Sequence, residues 1–240
     1  MFQFLRLAMN RGRSDGDYRA MQEQIARSTV AELKSRGIDF ADKDVVELAA
    51  GLGGYSRVYA ERAKTFIATD QRANPFFAEQ GIAFVRFDVT KPFPLATDSV
   101  DLICTSSLIE HIEAPKSCLA ECRRILRPGG TLYLSFPPFY SLLMVGGHGF
   151  KPFHFLGEKL CLKLHNAWRG VAVESYATAW GDYGLYPLTV AGVARLIRES
   201  GFDLYEQYTR MSPVNTARLP GFLADLATWH VCYLARPRAD

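Results

Sequence analysis

Val45-Val46-Glu47-Leu48-Ala49-Ala50-Gly51-Leu52-Gly53-Gly54 decides the fold of this chain. A buried strand runs into a glycine-rich turn. Nineteen residues after Gly51, a second strand-like run, Thr65-Phe66-Ile67-Ala68-Thr69-Asp70, ends on a carboxylate. Glycine lets the backbone approach a ligand closely, and an acid at the end of the next strand can accept hydrogen bonds from both hydroxyls of a ribose. The pair reads as a nucleotide cradle, with an adenosyl group as the first ligand to consider.

The pattern continues outward from the cradle. Ala83-Phe84-Val85-Arg86-Phe87-Asp88-Val89 reads as a third strand ending in another acid, and Asp98 to Ser107 as a fourth. Cys118, Leu119, Cys122, Ile125 and Leu126 form the apolar stripe of a helix between Pro115 and Arg127, after which Pro128-Gly129-Gly130 ends the helix and starts a strand. Short β-branched runs alternating with helical stretches imply right-handed crossovers and a parallel sheet covered on both faces. Ahead of the sheet, Tyr18, Met21, Ile25 and Leu33 share one helical face until Gly37 breaks the pattern. Near the end, Thr189 caps a helix carrying Val193, Leu196 and Ile197 that stops at Gly201, and strands are expected near Asp203 to Thr209 and Trp229 to Ala235. The expected class is α/β, a doubly wound, mostly parallel seven-stranded sheet. The expected layout is a helical segment at 1–43, a main domain at 44–240 and, within it, an insertion at 137–186 after the fifth strand.

At 240 residues the chain builds a large core without disulfide or metal staples. The net charge of +3 is spread over interspersed acids and bases, which gives no electrostatic case for nucleic acid as the main partner. Five cysteines, at 104, 118, 122, 161 and 232, form no CxxC pair and leave an odd number, so a reducing cytoplasm is the expected location. The apolar run within Met1 to Met9 lacks a preceding basic region and is too short for a membrane span. With Arg6, Arg11 and Arg13 nearby it could lie on a membrane surface, but the adopted reading is a terminal helix covering part of the core.

The order of these motifs, with Leu108-Ile109-Glu110-His111-Ile112 after the fourth strand and Leu126 to Phe136 as the fifth, resembles the class I S-adenosylmethionine-dependent methyltransferases. The likeness is to the small-molecule branch related to the ubiquinone-biosynthesis C-methyltransferases. It is close from Asp44 to Pro137 and looser from Pro187 to Asp203. It implies that Glu47, Ala49, Gly51 and Gly53 line the methionyl and ribose side of S-adenosylmethionine, that Asp70 holds the ribose diol, and that Gln71 touches the ribose or adenine face. It further implies that Asp88 accepts from the adenine amino group, that the Val89 amide donates to the ring, and that Ser106 belongs to the cofactor side. Where the family's E/D-x-G-x-G-x-G pattern has its first glycine, this chain has Ala49. A methyl group there is expected to require dihedrals in the ordinary region.

Glu110-His111 falls at the carboxyl edge of the sheet, where ligands of such folds bind. A histidine with a reference pKa near ~6.5 can take a proton from a hydroxyl nucleophile, or it can simply pack there and orient a loop. From Pro137 to Tyr186 the scaffold rhythm gives way to aromatics, among them Tyr140, Phe153, Trp168, Tyr176, Trp180 and Tyr183, interleaved with glycines. This stretch reads as a lid, with His148 and His154 as alternative bases or, with Tyr140, as acceptor contacts. Pro137-Pro138-Phe139-Tyr140-Ser141 and Gly147-His148 loosely resemble methyltransferases encoded with bacterial polysaccharide or glycolipid pathways. The spacing of His148, His154, Cys161 and His165 matches no standard metal-ligand pattern.

The expectation is therefore methyl transfer from S-adenosylmethionine, leaving S-adenosylhomocysteine, to oxygen on a small molecule or a glycan- or glycolipid-type acceptor. Two alternatives stay open. A nicotinamide-dependent oxidoreductase shares the glycine turn and the acid after the second strand. A methyltransferase-like binding subunit without catalysis is the other, supported by Ala49.

Overall fold

The computed structural model describes residues 14–143, 149–179 and 183–239. The stretch Met1 to Met9, Gly146, Gly147, His148 and Trp180 lie outside the described residues. Seven strands form one sheet in the order β3-β2-β1-β4-β5-β7-β6. They are β1 (Asp44–Leu48), β2 (Thr65–Asp70), β3 (Ala83–Arg86), β4 (Val100–Ser106), β5 (Leu126–Phe136), β6 (Phe202–Thr209) and β7 (Val231–Pro237). β1 pairs in parallel with β2 and β4, and β2 with β3, while β6 and β7 are antiparallel. The expectation of a doubly wound, mostly parallel seven-stranded α/β sheet is met.

By its contacts the chain divides into two compact units, one running to Thr105 with Arg124–Leu132 added, the other comprising Ser106–Arg123 and Tyr133–Asp240. In the first, helix α1 (Asp15–Ser35) starts where the Ser14 side chain accepts from the Asp17 amide, with Asp15 and Asp17 favourably placed in the first turn. It buries Met21, Ile25, Ala26, Thr29 and Leu33. Tyr18, expected on that face, is instead exposed. Val45, Val46 and Leu48 of β1 and Leu102, Ile103 and Cys104 of β4 are buried with it in this core. Both strands read as continuous apolar runs because both faces of a central parallel strand are covered.

Two boundaries differ from the sequence reading. β3 stops at Arg86, two residues before Asp88. There the Asp88 Oδ1 atom accepts from both the amide and the hydroxyl of Thr90, so a local turn takes the place of a last ladder position. Helix α4 (Pro115–Ile125) passes straight into β5 at Leu126, ahead of Pro128-Gly129-Gly130.

In the second unit Tyr133, Leu134 and Phe136 of β5 and Val231 to Ala235 of β7 are fully buried, as are Val193 and Ile197 of helix α6 (Val190–Glu199). Thr189 caps α6 by accepting from the Gly192 amide, as its sequence position suggested. The aromatic stretch has a small core of its own, made by Phe139, Phe150, Cys161, Leu162, Tyr176 and Leu185. A helix not anticipated there, α5 (Glu158–Arg169), supplies Cys161, Leu162 and His165 to it. That spacing of one and four residues was the available signal. The last helix, α7, is Phe222–Ala227. Among the described residues no helix is long and apolar enough to cross a membrane.

Helix α2 (Gly54–Ala60) is preceded by Gly53 as its N-cap, whose φ of 81° is left-handed. A Cβ at Gly53 would lie 2.4 Å from two ring carbons of Phe76, so conformation and space both demand glycine. Gly53→Ala is expected to cost about 3 kcal/mol or more of folding stability, combining left-handed strain with overpacking. Chemical denaturation checks this, and a loss below about 1 kcal/mol would show that the turn yields.

Candidate functional site

The cradle lies wholly within the first unit. β1 delivers Glu47, the turn follows, and α2 begins at Gly54. Beyond β2, helix α3 (Pro75–Glu79) is capped by Asn74, whose side chain accepts from the Phe76 amide and donates to the Gly51 carbonyl at 3.0 Å. Arg19 on α1 braces the same turn from outside, donating to the Leu52 carbonyl at 2.9 Å while its guanidinium lies 4.2 Å from the centre of the Phe76 ring.

Asp70 is fastened at both oxygens. Its Oδ2 accepts from the Gly51 amide and its Oδ1 from the Arg72 amide, each at 2.9 Å. The sequence pairing of Gly51 with Asp70 is thus a direct contact, and both carboxylate oxygens are oriented by backbone. A Cβ built at Gly51, where φ is 56°, meets nothing within 4 Å. The turn leaves room above residue 51 and none at residue 53. Gln71 follows Asp70, and its carbonyl accepts from Arg86 Nε. Asp88 and Val89 are half-buried in the turn after β3.

Ala49 corrects an expectation. Its φ is 57°, in the left-handed region, not the ordinary one that a methyl group was expected to require. The backbone keeps the glycine-like shape of the turn, and the alanine bears the strain of roughly 1–2 kcal/mol that an L-residue meets there. Ala50 anchors the segment through its amide to the Thr69 carbonyl. Ala49→Gly is expected to gain about 0.5–1 kcal/mol of folding stability, the relief of strain less the added freedom of the unfolded chain. A higher denaturation midpoint with unchanged slope checks it; an unchanged or lower midpoint would mean the strain is relaxed elsewhere.

Glu47 is buried, 4% exposed, and its Oε2 accepts from the Ser56 hydroxyl at 2.5 Å. Burial pushes its pKa up to about 8, a rise opposed by the Ser56 hydrogen bond and assisted by the negative charge of Asp70. The unfolded chain releases this proton near 4.5, the folded one near 8. Between those values the folded state holds a proton that the unfolded state has lost, so stability falls as pH rises, by at most about 1.4 kcal/mol per pH unit. Glu47→Gln removes this titration. The stability of the variant relative to the parent should therefore rise from about pH 5 to about pH 8 and then level off. A difference that does not change with pH would show that Glu47 is ionised throughout.

The remaining candidates lie in the second unit. Ser106, at the end of β4, is 2.9 Å from the Ser135 hydroxyl and accepts from Arg210 at 3.1 Å. Arg210 was not singled out in the sequence. It is 1% exposed and also donates to the Tyr133 hydroxyl and to Ser135 Oγ, joining the ends of β4, β5 and β6. The strand before it mixes polar and apolar residues, so its position gave no signal.

Glu110 is buried and His111 half-buried in a short 3-10 turn. Two hydrogen bonds strap this turn to residues more than seventy positions later: the Tyr186 amide donates to the Glu110 carbonyl at 2.8 Å, and His111 Nδ1 lies 2.7 Å from the Gly184 carbonyl. A carbonyl only accepts, so Nδ1 carries the proton and the lone pair of the neutral ring is on Nε2. Tyr183 packs against the same ring, centroids 5.6 Å apart.

His154 is 3% exposed, with ring centroids 4.0 Å from Phe155 and 6.0 Å from Phe139. Burial, reinforced by the Lys151 charge, depresses its pKa to about 4, so it is neutral near pH 7. Tyr140 is half-buried between Phe139, Phe155 and Phe222. Among the described residues no group of three or more His, Cys, Asp or Glu is placed to hold a metal ion.

With this geometry established, similarity to other proteins is informative. Residues 46–134 match the family model described as a methyltransferase domain. An "uncharacterized methyltransferase" of Mycobacterium ulcerans is 31% identical over 131 residues, covering 52% of this chain and 50% of the relative. Another from Mycobacterium leprae is 28% identical over 180 residues, covering 70% and 64%. The chain spans about half the length of several curated relatives that it matches. Among solved structures, a S-adenosylmethionine-dependent methyltransferase from Mesorhizobium loti superposes with a TM-score of 0.58 at 20% identity, covering 87% of this chain and 97% of that one, a likeness of fold. Residues 46–134, which hold the glycine turn and Asp70 joined as described, match a methyltransferase domain, and the chain shares its fold with S-adenosylmethionine-dependent methyltransferases.

Proposed function

We propose that this chain is a S-adenosylmethionine-dependent enzyme that methylates oxygen on a small-molecule, glycan or glycolipid-type acceptor. The observation that carries the reading is the open space above Gly51 beside an Asp70 carboxylate held at both oxygens by backbone amides. Such a carboxylate is pre-oriented to take the two hydroxyls of a ribose, and the missing side chain admits the sugar. The cofactor supplies a methyl group already activated on a sulfonium.

The protein's part is to bind, align and keep out water. Asp70 and Gln71 hold the ribose side; Asp88, through its second oxygen, and the Val89 amide serve the adenine. Ala49, Gly51 and Gly53 shape the turn. Glu47 faces a cationic ligand with a proton to lose, so binding of the positively charged cofactor should strengthen as pH rises toward about 8. Ser106 serves through the Arg210 and Ser135 hydroxyl network. The segment 137–186 acts as the lid, with Tyr140 and His154 among its acceptor contacts and His148 as a second basic group.

His111 is the acceptor's base in this reading. Its strap to Gly184 fixes the tautomer with the lone pair on Nε2, the atom that would take a hydroxyl proton. His154, neutral and enclosed by aromatic rings, is suited to packing and hydrogen bonding.

The test pairs binding with turnover. Calorimetry should show binding of S-adenosylhomocysteine and none of NAD, and Asp70→Ala should weaken it by about 1–3 kcal/mol without unfolding the chain. Equal binding by the variant would remove the ribose assignment; preference for NAD would favour an oxidoreductase. Incubation with methyl-labelled cofactor and small-molecule and glycan extracts identifies the acceptor. His111→Ala should then lower turnover by about 10² with cofactor affinity nearly intact. Cofactor binding without turnover on any acceptor would instead support a binding subunit.

A further inference from the structure

The aromatic segment of the second unit is organised around a chain of rings. Centroid to centroid, His154 lies 6.0 Å from Phe139, Phe139 5.4 Å from Tyr176, Tyr176 5.2 Å from Phe150, and Phe150 4.7 Å from His165. The three middle rings belong to the core shared with Cys161, Leu162 and Leu185. Both ends of the chain are imidazoles, and both are enclosed: His154 is 3% exposed and His165 8%. Phenyl rings would serve such packing equally well. What an imidazole adds is a site that gains a proton, and with it a charge, just below neutral pH.

The groups around each ring set what that charge does. His154 packs against Phe139 and Phe155, with the Lys151 charge acting on it and a smaller, opposing contribution from the Ser141 backbone. His165 packs against Phe150, and the charge that acts on it is Arg169, four residues further along α5. Glu158, the one acid in the sequence of α5, accepts instead from the Tyr176 amide at 2.5 Å. Lys159, Lys163 and Glu174 are exposed. The two other titratable groups of this core, Cys161 and Tyr176, are both pushed up by burial and stay neutral. A proton taken up by either imidazole therefore puts a positive charge into an apolar core, under the field of another positive charge.

We propose that His154 and His165 form a proton-operated latch, whose protonation loosens the core built by Phe139, Phe150, Tyr176 and Leu185 while the strands of the sheet stay folded. The latch is closed when both rings are neutral. An unfolded histidine takes up its proton near 6.5 and the enclosed His154 only near about 4, so the closed state loses stability as pH falls through that interval and regains it as pH rises. Burial and the Arg169 charge lower His165 in the same direction. The latch concerns the opening of this segment alone, so it stands whether or not methyl transfer is demonstrated.

The test is amide hydrogen exchange of the full chain, read by mass spectrometry on peptides from residues 149–179 and from β1, β4 and β5, and corrected for the intrinsic pH dependence of exchange. Between pH 6.5 and pH 4.5 the opening constant of the 149–179 peptides should rise about fortyfold or more, the ratio that the His154 values give, with little change in the strands. The double variant His154→Phe, His165→Phe should hold that rise below about threefold. A second reading needs no variant: in the unsubstituted chain the ring resonances of His154 and His165 should both titrate below the ordinary histidine value. The proposal is overturned by peptides that stay as protected at pH 4.5 as at pH 6.5, by a rise that the strands share equally, by a double variant that opens as readily as the parent, or by rings that titrate at or above 6.5.

Discussion

The turn between β1 and α2 depends on the absence of one side chain. At Gly53 the ring of Phe76 occupies the space where a Cβ would stand, and the backbone is left-handed. Close packing there lets α3 sit against the turn, lets Asn74 reach the Gly51 carbonyl, and leaves Arg19 over the outer face of Phe76. The neighbouring position has the opposite character. Gly51 shares the left-handed backbone but faces open space. One glycine is required by packing and conformation together, the other by its left-handed backbone alone.

The two carboxylates of the cradle behave differently because their surroundings differ. Asp70 sits at a strand end among backbone amides that solvate its charge within the fold. Glu47 lies buried within β1, where burial favours the neutral acid and a single hydroxyl only partly compensates. Under the proposed reading, a cationic ligand would gain from such a group. The acid is tolerated while neutral and becomes an attractive partner once a positive charge arrives.

In the second unit, order is imposed by contacts between residues distant in sequence. The Glu110-His111 turn is held to Gly184 and Tyr186, and Arg210 gathers hydroxyls from β4 and β5. Gly184 allows this because a Cβ there would press on the Tyr186 ring at 2.8 Å. These straps give His111 a defined tautomer, which no local pattern around it specifies.

Much of the fold was legible in local patterns. Strand alternation with helices, the apolar face of α1, the Thr189 cap and the burial of Cys118 and Cys122 all follow from periodicity and capping chemistry, which act over a few residues. The glycine turn and the acid nineteen residues later, read as one cradle, do meet in the structure, since a crossover returns the next parallel strand alongside the first. By itself, then, the sequence determined the class of sheet and the glycine turn that follows its first strand. The tertiary structure alone decided the left-handed strain at Ala49, the neutral state of Glu47, the early end of β3 before Asp88, and the roles of Arg210 and Gly184. Each arises from burial, or from a partner far away along the chain, and neither leaves a trace in local spacing.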